Sequence, residues 1–132
     1  ILGSIFANVA FSPVISVGEA NHLLQIATAL TYRQMCILSL VERKRQGLIV
    51  IQLRKEPFRG TLPFETLSIL QQIFQMYSLG LLSPMGGGYW LSWFEIVPDA
   101  LTTTGPGARC YQAMGLQDIP VQDLEAVAWK LQ

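Results

Sequence analysis

His22 is the chain's single histidine and the first place to look for acid–base chemistry, because an unperturbed imidazole titrates between pH 5 and 8. A general base also needs a nucleophile and a group that orients it. Glu19 and Gln25 lie three residues to either side of His22, which puts them nearby on a helix without giving either of those roles. The two thiols, Cys36 and Cys110, stand far apart, with no CxxC or Cys/His spacing that would make a zinc ligand set. Both read as small, reduced core residues of a reducing cytoplasm. Asp118, Asp123 and Glu125 could face a cation, but beside Pro120 they fit the favourable positive end of a helix instead. Gly86 to Gly88 lacks the following Lys of a phosphate loop. No nucleophile elbow, zincin helix or dinucleotide fingerprint occurs. These patterns predict a protein without catalysis, cofactor or metal.

The charges are more informative. Nine Lys and Arg balance nine Asp and Glu, so no net field draws the chain to nucleic acid or to an acidic membrane. Their distribution is uneven. Residues 31–59 hold seven cations (Arg33, Arg43, Lys44, Arg45, Arg54, Lys55 and Arg59) against Glu42 and Glu56, a net +5. Residues 60–132 hold two cations against six carboxylates, a net −4. Arg43, Lys44, Arg45, Arg54, Lys55 and Arg59 are therefore the candidate contacts to phosphate or to a partner. The other readings are a surface complementary to a second copy and a solvated helix end with its loop.

A second candidate surface is aromatic. If Tyr89 to Val97 forms a strand, Trp90 and Phe94 point one way and Tyr89 and Trp93 the other. Either the strand is sandwiched in the core or one face meets a partner, for which Trp and Tyr are common anchors. Phe6 and Phe11 join this interface set. They belong to residues 1–17, which carry no charge and read as an apolar N-terminal helix over 2–11, a dimer arm, or the tail of a membrane segment. Asn8, Ser4, Ser12 and Pro13 make the run a poor spanning helix, and no positive stretch precedes it as in a signal peptide. Opening on Ile1 rather than Met is what a piece of a larger regulatory protein would show.

The elements that must position these groups announce their own boundaries. Ser16 to Glu19 and Thr31 to Gln34 have capping-box spacing and predict helices over 18–30 and 32–46. Arg43 to Arg45 suit the negative end of the second helix, and Gly47 its termination. Leu48 to Leu53 (LIVIQL) is β-branched, uncharged and predicted to be a strand. Residues 54–63, with Pro57, Gly60 and Pro63, read as a loop. Leu67, Leu70, Ile73, Phe74 and Tyr77 predict a core stripe on a helix over 64–79 that faces Leu38. A second short strand over 100–103, a helix over 107–114 and a last helix over 120–131 follow. At 132 residues and 51% apolar composition, this is one domain with a real core. It divides into an N-terminal arm (1–17), a core (18–116) and a C-terminal helix (117–132).

Helix, strand, helix, glycine-tipped hairpin, helix is an order that resembles the winged helix-turn-helix superfamily. Residues 32–116 carry the resemblance. Leu79-Gly80-Leu81-Leu82 is similar to a recognition helix running into its wing. Leu101 to Gly105 followed by Ala108, Tyr111 and Met114 is similar to a second wing strand passing into a helix. The sequence departs from the pattern between strand and third helix, where RKEPFRGTLP leaves room for at most one turn of the second helix.

The resulting expectation is a mainly α, winged-helix-like fold with a small β-sheet and extra N- and C-terminal helices. Its expected role is that of a non-catalytic interaction or oligomerisation module, working as a dimer or with another protein. A DNA-binding regulator using residues 43–59 is the alternative. A membrane-proximal domain contacting the bilayer through its N-terminus is the third. DNA is the weaker partner because the would-be recognition helix has no Lys or Arg and carries Glu65 in its first turn.

Overall fold

The computed structural model describes residues 16–132. Phe6, Phe11 and the expected helix over 2–11 lie outside the described residues. Among the described residues the fold is mainly helical with one small antiparallel sheet: α1 (Val17–Ala29), α2 (Tyr32–Arg45), α3 (Phe64–Ser78), β1 (Leu82–Pro84), β2 (Leu101–Thr103), α4 (Gly105–Ala113) and α5 (Val121–Trp129). None of these helices is long and apolar enough to cross a membrane.

The helix starts follow from their caps. Ser16 Oγ accepts from Glu19 N at 3.2 Å, and Thr31 and Gln34 close a reciprocal capping box, each side chain bonding the other's backbone. At the first cap, the Glu19 carboxylate pairs with Arg109 of α4. Gly115, at φ 66°, makes the left-handed turn that separates α4 from a 3-10 turn over Leu116–Asp118, and Pro120 then opens α5.

α2 is the central element. It buries ten consecutive residues, Gln34 to Arg43, and packs against α3, α4, α5 and β2. A helix enclosed on all sides has no apolar stripe, which is why Met35 to Val41 is apolar almost without break. Leu38, Leu70 and Ile73 are buried as expected. The core face of α3 is nonetheless rotated from the expected one. Thr66, Ile69, Leu70, Ile73 and Met76 are buried, while Leu67, Phe74 and Tyr77 flank them. On α1, Ala20, Leu23, Ile26 and Ala27 are buried, and Leu24 packs at the edge of the core.

Two expected strands are absent. Leu48 to Leu53 forms no strand, although burial alternates along it: Ile49, Ile51 and Leu53 turn toward the core while Leu48, Val50 and Gln52 face out. The pattern is that of an edge strand, but among the described residues no segment lies alongside to complete a ladder. Tyr89 to Val97 is not a strand either. The first strand lies upstream, at β1, and pairs with β2 in the register Leu82↔Thr103, Ser83↔Thr102, Pro84↔Leu101. Gly86, Gly87 and Gly88 all take positive φ, which forbids a continuous extended chain, and 3-10 turns occupy Trp93–Glu95 and Pro98–Ala100. The second short strand, expected over 100–103, is found as β2. No helix lies between α2 and α3.

β1 and α4 approach so closely that a Cβ at Gly107 would run into the Leu81 carbonyl oxygen. The same carbonyl accepts from Thr104 N at 3.1 Å, tying β2 to the end of α3.

Candidate interaction surface

The six cations singled out by sequence do not form a patch. Arg43 is 7% exposed. Its guanidinium donates to the carbonyls of Leu116 (2.9 Å), Gln117 (2.7 Å) and Ile119 (2.7 Å), ending the turn that leads into α5. Lys44 pairs with Asp99 at 2.7 Å, Arg45 with Glu42 at 2.5 Å, and Arg54 with Glu56 at 3.5 Å while lying 4.7 Å over the Phe58 ring. Only Lys55 and Arg59 of the six face solvent with no partner among the described residues.

Glu42 anchors the same helix end. It is 1% exposed and accepts from Arg45, from the Thr103 hydroxyl and from Gln46 Nε2 at 2.8 Å. Burial alone would push its carboxyl up. The hydrogen bonds from Arg45, Thr103 and Gln46, with the Arg45 charge, outweigh burial and hold it down at about 2. Ser39 adds a bond to Leu116 O at 2.8 Å. This network joins α2 to β2 and to the turn before α5. It satisfies buried polar groups and leaves no ionised side chain aimed into a cleft.

The other reactive groups are equally occupied or shielded. Cys36 and Cys110 are buried and unbridged; burial raises both thiols, Cys110 to about 11, so neither is a ready thiolate. The Tyr32 hydroxyl donates to Asp123 at 2.5 Å, and that bond pushes its ionisation up to about 12. His22 is exposed on α1.

Exposed apolar side chains occur singly at Val17, Tyr32, Phe64, Leu79 and Val121 and gather in two places. The first is the segment from Met85 to Phe94. Trp90 turns inward, its ring 4.9 Å from Tyr77, whose hydroxyl accepts from Trp90 N. Glu95 accepts from Leu91 N at 2.8 Å. With those anchors holding the backbone, Met85, Tyr89, Leu91 and Phe94 are all more than half exposed, and Trp93 lies half-buried with its ring edge on Phe94. The expected pairing of faces, Trp90 with Phe94 and Tyr89 with Trp93, fails because a strand's alternation does not apply to this looped path. The second place is the outer face of residues 48–52 beside α5. Val50 is 96% exposed, Leu48 63% and Trp129 70%. A shallow groove of about 420 Å³ lies there, lined by Val50, Ile51, Gln52, Glu125, Ala128, Trp129 and Gln132.

Sequence reasoning missed Leu48, Val50, Met85, Leu91 and Trp129. The signal was present for two of them. Val50 sits within an uncharged run bounded by cations, and Trp129 falls four residues after Glu125 on the same helical face. No protein-family model, curated protein or solved structure matches the chain.

Proposed function

We propose that the chain is a non-catalytic, winged-helix-like interaction module that self-associates by burying apolar surface. One observation carries this reading. Besides single exposed residues such as Val17 and Phe64, the fold gathers large apolar side chains outside in two patches, Met85, Tyr89, Leu91 and Phe94 in one and Leu48, Val50 and Trp129 in the other, while tying most of its charges to internal partners. Contiguous exposed apolar surface of this kind marks interaction sites. A net charge of zero offers copies little long-range repulsion.

The winged-helix likeness is supported by α3 running through Gly80 into an antiparallel β1–β2 pair with a glycine-rich connection, followed by α4. In place of the usual second helix the chain has the irregular stretch 46–63. The DNA-binding reading draws support from Lys55 and Arg59 alone. Arg43, Lys44, Arg45 and Arg54 are held by carbonyls and carboxylates, and α3 has no cation to meet phosphates.

Sedimentation equilibrium at micromolar concentration tests the proposal. The expected result is a species heavier than the 14.7 kDa chain, little affected by salt because apolar burial dominates. A chain that stays monomeric throughout refutes it.

A further inference from the structure

Residues Ile49 to Leu53 have a feature that apolar exposure alone does not supply. Leu48 N is bonded to Arg43 O and Arg54 N to Leu131 O, at 2.9 and 2.8 Å. Between them, no backbone N–H or C=O of Ile49 to Leu53 has a hydrogen-bond partner among the described residues. The segment is rich in β-branched residues and holds no Gly, Pro or charge, and its burial alternates with the period of a strand. It has the sequence and burial of a sheet strand and lacks only the neighbour. Native folds usually blunt such an edge with a charge, a proline or a covering element. Here Val50, at its centre, is 96% exposed.

We infer that this edge is completed by the same segment of a second copy, as an antiparallel pair about a two-fold axis at Val50. The inference rests on the self-association proposed above and assigns its surface. In an antiparallel pair, residues directly opposite share a face. With Val50 opposite Val50 of the second copy, Leu48 meets Gln52 and Ile49 meets Ile51, so outward residues meet outward residues and inward ones meet inward ones. No charge lies inside the paired run; of the adjoining cations, Lys44, Arg45 and Arg54 are each already paired with a carboxylate of their own chain, and Lys55, beyond the run, faces solvent. The five paired residues, Leu48 to Gln52, span about 17 Å. The exposed parts of Leu48, Val50 and Trp129 offer roughly 400 Å² per copy, scaled from typical side-chain areas. With the backbone strip and Gln52 this is the upper bound on what pairing buries, and two copies reach the ~1,000 Å² of a specific interface only where the second copy also covers Trp129. The groove between Val50 and Trp129 gives the second copy's outward side chains a seat.

Val50→Lys and Val50→Glu test the pairing, because each places like charges opposite one another on the axis, while a mixture of the two places opposite charges there. The substituted side chain is solvent-exposed, so both variants keep the fold, checked by circular dichroism. The expected result is that the native chain dimerises, each variant alone sediments as a monomer, and the equimolar mixture regains a dimer. In hydrogen exchange, the amides of Ile49 to Leu53 gain protection only on association. If the native chain dimerises but the single variants do so too, or the mixture does not, this edge is not the interface. If Leu91→Ser/Phe94→Ser then dissociates the dimer, self-association stands and its surface is the aromatic loop. A native chain that never dimerises removes both.

Discussion

Arg43→Ala is the most discriminating substitution in the helical core. In the sequence Arg43 is one of a basic run suited to phosphate; in the fold it is buried, with three carbonyl oxygens of residues 116–119 within 2.9 Å of its guanidinium. A hydrogen bond involving a charged group contributes about 1.5–3 kcal/mol, and bonds to one group do not add fully. Truncation also leaves carbonyls at the start of α5 without donors. Together these set an expected loss of about 3–5 kcal/mol, in the range for breaking a buried charged interaction. For a chain of 132 residues that is a fall in Tm of roughly 10–20 °C. The assay is urea unfolding, with the midpoint falling and the slope unchanged. Arg43→Lys should recover part of the loss, since an ammonium reaches the carbonyls without the planar fork. Lys130→Ala is the control: its pair with Glu65 is exposed and should contribute less than about 1 kcal/mol. If Arg43→Ala costs no more than Lys130→Ala, the side chain is free in solution and a phosphate-binding role returns.

Leu70→Ala removes a side chain that is 1% exposed and should cost about 2–5 kcal/mol by lost transfer energy plus a cavity; a change below about 0.5 kcal/mol would mean that the face of α3 is misplaced. Glu42 gives an acid limit to stability. Its folded carboxyl is held at about 2, below the ordinary glutamate value, so its contribution is full above that ordinary value and is lost as pH falls through the folded one. Urea midpoints measured from pH 5 down to pH 2 should therefore fall more steeply for the native chain than for Glu42→Gln, and parallel curves would contradict the network.

The elements legible in the sequence were those with local signals. The caps at Ser16 and Thr31 placed α1 and α2 within a residue or two, and Pro106 and Pro120 did nearly as well for α4 and α5. What failed depended on neighbours. LIVIQL has the composition of a strand, but a ladder needs a second segment, and the described residues provide none beside it. Tyr89 to Val97 is β-prone by composition, yet three positive-φ glycines and the inward turn of Trp90 onto Tyr77 override that preference. The basic run was visible as charge; that Arg43 points inward follows from where residues 116–119 pass, about seventy-five positions later.

That separation along the chain bears on how the protein is made. α2 is finished early in synthesis, but Glu42 waits for Thr103, Ser39 and Arg43 wait for Leu116, and Arg43 also needs Ile119. At about 5–20 residues per second, some 75 residues take roughly 4–15 s to arrive. During that interval Glu42 has only its neighbours Arg45 and Gln46, Arg43 lacks its carbonyls and the helix has its apolar circumference bare, so the nascent chain cannot fold in order from its N-terminus. The domain closes in a single late event when α5 emerges, and until then it depends on whatever holds unfolded chains apart. A ribosome stalled before residue 116 would carry a chain that presents LIVIQL and the whole of α2 to its neighbours.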